Sequence, residues 1–204
     1  MPDIKLFELG PTRSGRARWA LLEAGLPFES LGNSIDVFKS EALRQVHPLS
    51  KLPAILIDGR PLFESAAIVT AIADLVPEKN LIAKPGTWAR NSHYQWVSFV
   101  QSEMEPHANQ TEINSIDFIL PRDQHVPAIK EQNAMFYRKA AAALDDALAN
   151  SPFLVNGQFS VTDIFAGYTI NWGDEFGWLD GFANLRAYLE RLFVRPHCTL
   201  ARYS

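Results

Sequence analysis

Ala54-Ile55-Leu56-Ile57 is a continuous apolar run held between Pro53 and Asp58-Gly59. Few local structures satisfy that pattern: it reads as a short buried strand running into a hairpin turn. Arg60 to Phe63 is the returning strand. Ser65 then stands directly before Ala66-Ala67-Ile68-Val69, with Ile68, Ile72 and Leu75 spaced to share one helical face, so Ser65 is expected to be the helix N-cap. The start of that helix offers unpaired N–H groups and the positive end of its dipole, which suit a carboxylate. Glu64, one residue earlier, can hold an ammonium. Together they fit the amino-acid end of a ligand, although Glu-Ser ahead of a helix is also what plain capping looks like.

Charge and composition narrow the partners. The 204 residues are 47% hydrophobic, enough for one domain or two small ones. Nineteen basic residues against 23 acidic ones, with pI near 5.7, leave no basic surplus for nucleic acid. No apolar run approaches the roughly 20 residues of a spanning helix. The opening Met1-Pro2-Asp3-Ile4 lacks the pattern of a secretory leader. Cys198 is the single cysteine, which excludes an internal disulfide and a CxxC pair and leads us to expect a reducing cytoplasm. His47, His93, His107, His125 and His197 show no ligand spacing, so no metal is expected.

The first 76 residues alternate strand and helix signals. Ile4 to Leu9 reads as a strand, Thr12 or Ser14 to Gly25 as a helix stopped by Gly25 and Pro27, Phe28 to Leu31 as a second strand, and Lys39 to Val46 as a short helix. With the hairpin and its helix, the order is βαβαββα. Residues 77–86, framed by Pro77, Pro85 and Gly86, are expected to be a linker. From residue 87 to 204 only helical spacing is visible: Thr87 to about Glu105, interruptions at Pro106, Pro121 and Pro127, a long helix to Ala149, and a last helix marked by Leu185, Leu189 and Leu192. Phe159-Ser160-Val161-Thr162-Asp163-Ile164 carries a capping box with a hydrophobic staple, the clearest helix start in the chain.

Lys51-Leu52-Pro53, the strand, the turn and Glu64-Ser65, arriving in order, resemble the glutathione-binding half of the cytosolic glutathione transferases, particularly the bacterial ones. The Ser160 to Asp163 box after Phe153-Leu154-Val155-Asn156-Gly157, and Leu179-Asp180-Gly181-Phe182 with Arg195-Pro196, extend the resemblance over nearly the whole chain. It implies an α/β plus all-α protein: a thioredoxin-like domain over 1–76, then an all-helical domain over 87–204. It also implies that Pro53 is cis, that Leu52 pairs with the cysteinyl backbone of glutathione, and that Glu64 and Ser65 hold the γ-glutamyl end. Lys51, Lys39 for the glycine carboxylate and Glu103 for the ammonium complete the implied glutathione set, and a homodimer is implied too.

In that family a hydroxyl or thiol near the start of the first helix stabilises the glutathione thiolate, whose free thiol titrates near 8.5. Here the place of the usual serine falls on Pro11, and the place of the cysteine used by one bacterial class falls on Arg13. Candidates that remain are the hydroxyls of Thr12 and Ser14 and the charge of Arg13. The second substrate, a small hydrophobic electrophile, is expected in a cleft between the domains, with Tyr94, Trp96, Phe99, Met104 and His107 as its candidate lining. The expected activity is glutathione conjugation or glutathione-dependent reduction. The alternative is a non-catalytic glutathione-binding or protein-interaction module on the same fold, favoured by Pro11 in the serine's place.

Overall fold

The computed structural model describes residues 1–203. Four short strands, β1 (Ile4–Glu8), β2 (Glu29–Gly32), β3 (Ala54–Ile57) and β4 (Arg60–Phe63), form a sheet of order β2-β1-β3-β4. β1 runs parallel to β2 and antiparallel to β3, with Leu6 opposite Ser30 on one side and Ile55 on the other. Side chains alternate faces along a strand. Leu6 and Ile55 join one core with α1 (Ser14–Ala24) and α3 (Ser65–Asp74), while Phe7 and Ala54 join a second with Leu43 and Val46 of α2 (Glu41–Val46). Because both faces are covered, apolar residues lie on both faces of β1 and β3, with Lys5 and Glu8 the charged exceptions in β1. α1 stops at Gly25, whose φ of 68° is the left-handed cap that glycine adopts without penalty.

Helices α4 (Trp88–Glu103), α5 (Glu105–Ile113), α6 (Ile129–Leu148), α7 (Val161–Glu175) and α8 (Ala183–Phe193) make the second domain. α7 is its axis, burying Val161, Ile164, Phe165, Ala166 and Ile170 and packing against α1, α3, α4 and α8. The close approach of α1 to α7 needs Gly15, where a Cβ would sit 1.9 Å from the Tyr168 hydroxyl. The capping box holds α7's start as expected: the Asp163 carboxylate accepts the Ser160 N–H at 2.8 Å, and the Ser160 hydroxyl accepts the Thr162 N–H at 3.3 Å. Asp163 also accepts from Leu154 N–H and the Tyr188 hydroxyl, and complete burial pushes its carboxyl up to about 6 despite these donors.

Several expectations are corrected. Ser65 does not cap α3: Glu64 occupies the N-cap position and Ser65 begins the helix, with no side-chain cap bond. A 3-10 turn over Ile35–Lys39 precedes α2, which starts two residues later than expected, after Ser40 caps the Leu43 N–H. Apart from these corrections, the 77–86 stretch holds a 3-10 turn at Pro77–Lys79, and buried Leu81 accepts the Val161 N–H at 2.9 Å. Pro106 does mark an interruption, since α4 ends at Glu103 and a new helix begins at Glu105, but no loop intervenes. It lies in the first turn of α5, where a missing N–H costs nothing, and α5 follows α4 across Met104.

His93 of α4 joins three helices. Its Nε2 lies 3.1 Å from Thr70 Oγ1, which itself donates to Ala66 O, and its Nδ1 lies 2.8 Å from Thr162 Oγ1. The ring therefore donates from Nε2 and accepts at Nδ1, a neutral imidazole. Burial, then the neighbouring Arg90, pushes it down to about 4. The unfolded chain takes a proton on this histidine near 6.5 while the folded one does not, so its contribution is full above 6.5 and is lost as pH falls toward 4. Chemical denaturation across that range should show wild type losing on the order of 3 kcal/mol relative to His93→Gln. Parallel curves for the two proteins would place the charge change elsewhere.

Candidate functional site

Two helix starts, α1 after β1 and α3 after β4, lie at the same end of the sheet, where Arg16 of α1 reaches Ser65 of α3. At α3, Ile68 N–H makes the first main-chain helical bond, to Glu64 O at 2.9 Å. The amides of Ser65, Ala66 and Ala67 precede it and lie at the positive end of the helix dipole. Glu64 is held at φ 72°, ψ 115°, a conformation that a residue with a Cβ adopts only when its surroundings enforce it. Its side chain is exposed, while Ser65 is buried. On the preceding turn, the Leu52-Pro53 bond is cis, as the resemblance implies; Pro53 is buried, Leu52 half-buried and Lys51 exposed. Lys39 is also exposed. His47 is buried beneath this turn, its Nδ1 accepting the Leu49 N–H at 3.0 Å and its ring 4.8 Å from that of Phe63. Burial, only partly offset by Glu64, lowers its pKa below the usual imidazole range.

At α1 the hydroxyls face inward. Ser14, almost fully buried, donates to Leu9 O at 2.9 Å and accepts the Leu9 N–H at 3.1 Å. Thr12 Oγ1 donates to Leu9 O at 2.6 Å, lies 2.6 Å from Ser14 Oγ, and accepts the Ser14 N–H at 3.2 Å. Thr12 O and Arg13 O occupy the next two amides, those of Gly15 and Arg16. This self-contained turn closes the loop after β1, where Gly10-Pro11 is also cis. Arg13 takes the N-cap position with no side-chain cap bond.

Both arginines that follow reach into the helical domain. Arg13 donates through Nη2 to Asn109 Oδ1 at 2.5 Å, holds Nε 3.4 Å from Glu105 Oε1, and lies 5.4 Å over the Trp172 ring. Arg16 is completely buried. Its Nη1 donates to Ser65 Oγ at 3.0 Å, and its Nη2 donates to Glu105 Oε2 at 2.9 Å and to Thr169 Oγ1 at 2.7 Å. Burial alone would raise the Glu105 pKa, but Arg16 and then Arg13 overcome it and hold the carboxyl ionised below its usual range. Arg18 is bound instead to Glu8 inside the first domain. Glu112, near Arg13, is pushed up by burial first and then by Glu175, with Arg13 acting against both.

The residues expected to line one electrophile pocket are divided. Phe99, Glu103 and His107 line a cleft of about 300 Å³ with Phe136, Lys139 and Ala140. That cleft lies among α4, α5 and α6, within the helical domain and not between the domains. Trp96 packs edge-on against Phe99, Tyr94 accepts from Arg90 beside Asp74, and Met104 is fully buried in the core. The interdomain side is lined by Arg13, Glu105, Asn109 and Trp172, none of which except Arg13 the sequence reading selected. Glu105-Pro106 at a helix start was a readable signal for one of them. Thr169 and Trp172 are ordinary residues on a buried helix, and only the fold brings them to α1. Among the described residues, no group of His, Cys, Asp and Glu is placed to hold a metal ion, and no helix is long and apolar enough to cross a membrane.

Residues 12–75 match the glutathione S-transferase N-terminal domain and residues 127–191 match the glutathione S-transferase C-terminal domain. The chain belongs to the glutathione S-transferase family, of bacterial type, with a thioredoxin-like first domain and an all-helical second one. It is 24% identical to glutathione S-transferase GstA of Escherichia coli O157:H7 over 95% of this chain and 94% of the relative. Among solved structures, the ternary complex of BphK, a bacterial glutathione S-transferase, superposes with a TM-score of 0.84 at 25% identity, covering 95% of each chain. A sphingomonad glutathione S-transferase complexed with glutathione gives 0.82 at 29% identity, covering 95% of this chain and 94% of that one.

The inward hydroxyls predict unequal structural roles. Ser14→Ala strands the Leu9 N–H and should lower stability by about 1–3 kcal/mol, whereas Thr12→Val leaves that bond intact, takes from a main-chain N–H only the longer 3.2 Å acceptor, that of Ser14 at the helix start, and should cost about 1 kcal/mol or less. Urea unfolding separates them, and equal losses would make Thr12 the keystone of the turn.

Proposed function

We propose that this protein binds glutathione and uses its thiolate to attack a small electrophile. Glu64 takes the γ-glutamyl ammonium, and Ser65 with the first amides of α3 takes the γ-glutamyl carboxylate. The main chain of Leu52 pairs with the cysteinyl unit, while Lys51 and Lys39 offer charge to the glycine carboxylate. The observation that carries this reading is the Glu64-Ser65 pair: a main chain forced to φ 72° and ψ 115°, directing one acidic side chain outward beside a buried serine on open helix amides. Glu103 faces the α4–α6 cleft in place of this site and is left out of the set.

The sulfur would lie at the start of α1. Thr12 can serve it by turning its proton from Leu9 O, and Arg13 supplies charge from the neighbouring position, while Ser14 keeps the turn closed. Loss of the S–H proton to solvent leaves the sulfur pair to form a bond to an electrophilic carbon as the leaving group departs with its electrons. The electrophile would enter between α1 and the helical domain, near Arg13, Asn109 and Trp172. A homodimer working in the cytoplasm is the proposed setting.

A second reading, a module that binds glutathione without turnover, is supported by the commitment of both α1 hydroxyls to Leu9. Calorimetry and rate measurements distinguish the two. Glutathione should bind wild type and be lost on Glu64→Ala with Ser65→Ala, and Thr12→Val should cut kcat for an aromatic halide by about 10- to 100-fold with affinity little changed. Binding with no turnover of any electrophile would favour the module; absence of binding by wild type would end both readings.

A further inference from the structure

We infer that His47 is a positioning residue for the ligand: neutral, it builds the turn that presents Lys51 and Leu52, and by taking a proton it releases that turn, so that glutathione is let go in acid. The inference rests on the glutathione-binding reading above and adds to it a pH response. Pro48 has no N–H, and the next two amides both end on His47. Its Nδ1 accepts the Leu49 N–H at 3.0 Å, and its carbonyl accepts the Ser50 N–H at 3.0 Å. Ser50 is thereby held at φ 50°, a left-handed conformation that a residue with a Cβ takes only when its surroundings enforce it. Lys51 and Leu52 follow directly, ahead of buried Pro53. On its other side the imidazole packs 4.8 Å from the ring of Phe63, the residue before Glu64. One buried ring thus backs both segments proposed to hold the ligand.

A ring nitrogen that accepts from an amide carries no proton, so the proton of neutral His47 sits on Nε2. Protonation puts a second donor at Nδ1, facing the Leu49 N–H, and the bond that closes the turn becomes a clash of two donors. Burial is the largest influence on the ring and opposes that proton; the Glu64 carboxylate favours it and the Lys51 ammonium opposes it. On its own helix, Glu41 and Arg44 are paired with each other at 2.9 Å. Bound glutathione would set an ammonium against Glu64, removing the one influence that favours the proton. The bound protein then titrates at His47 lower than the free one, so affinity is full above the free protein's pKa and falls as pH drops through it.

S-methylglutathione, whose sulfur cannot ionise, is the probe, because none of its groups titrates appreciably between about pH 7 and about pH 5. It is titrated calorimetrically at both pH values into wild type, His47→Asn and His47→Leu, with thermal unfolding recorded for each. Asparagine places an amide oxygen where Nδ1 stood and does not titrate, whereas leucine offers no acceptor. His93, His107, His125 and His197 are present in all three proteins, so the difference isolates His47. Wild type should lose at least about three-fold in affinity at the lower pH, while His47→Asn should match it at the higher pH and change by less than about two-fold. His47→Leu should bind about ten-fold more weakly at both. A flat wild-type profile, an equal fall in His47→Asn, or wild-type affinity in His47→Leu would each overturn the inference. Should His47→Leu not fold, the contrast between wild type and His47→Asn decides alone. Wild type that binds at neither pH refutes the underlying reading as well, an outcome distinct from binding that ignores pH.

Discussion

The buried pair of Arg16 and Glu105 is the interaction on which the arrangement of the two domains depends. One partner comes from the first turn of α1 and the other from the first residue of α5, so neither domain satisfies its own charge. Removing one member of such a pair typically costs about 3–5 kcal/mol, because the other charge stays buried and unpaired. Thr169 from α7 and Ser65 from α3 complete the same cluster. Four helices from both domains are thus fixed at one point, and that point lies directly behind the start of α3. Around it, Gly15 lets α1 close on α7, and the bidentate pairing of Arg195 with Glu23 at 2.8 Å ties the chain after α8 back to α1.

This junction decides what the site can offer. The positive end of the α3 dipole, the buried Ser65 and the exposed Glu64 carboxylate lie together, as the proposed zwitterionic amino-acid ligand would require. The α1 start is less open: three of its first amides and both of its hydroxyls are satisfied within the turn. Arg13 is the group there that keeps both exposure and charge, and it faces α5 and α7. In the proposed function, binding of the γ-glutamyl end and activation of the sulfur would fall on two unlike helix starts, one whose first amides take no main-chain helical bond and one largely closed on itself.

Much of this was legible in the order of residues. Pro53, the apolar run and Asp58-Gly59 specify a strand and its turn through local sterics, and Gly25 and the Ser160 box specify helix ends in the same way. Glu64-Ser65 was placed at the right helix, although the capping role fell to no side chain, because the main chain at Glu64 takes a conformation that propensity does not anticipate. The interdomain contacts were not legible. Arg16, Glu105, Asn109, Thr169 and Trp172 are separated by up to about 150 positions, and each alone looks like a surface charge or a helix-face residue. Aromatic residues on α4 misled in the other direction: Trp96 packs on Phe99 and Met104 is buried in the core, while Tyr94 is exposed beside Arg90.

The central claim is that a glutathione held by Glu64 and Ser65 has its thiol ionised at α1. Ultraviolet thiolate absorbance of the bound complex, followed as pH is varied, tests it most directly. Ionisation below the free thiol's range near 8.5, and a shift back toward that range on Thr12→Val with Arg13→Ala, is the predicted result. A bound thiol titrating like the free one in wild type would contradict the claim and leave a protein that holds glutathione without activating it.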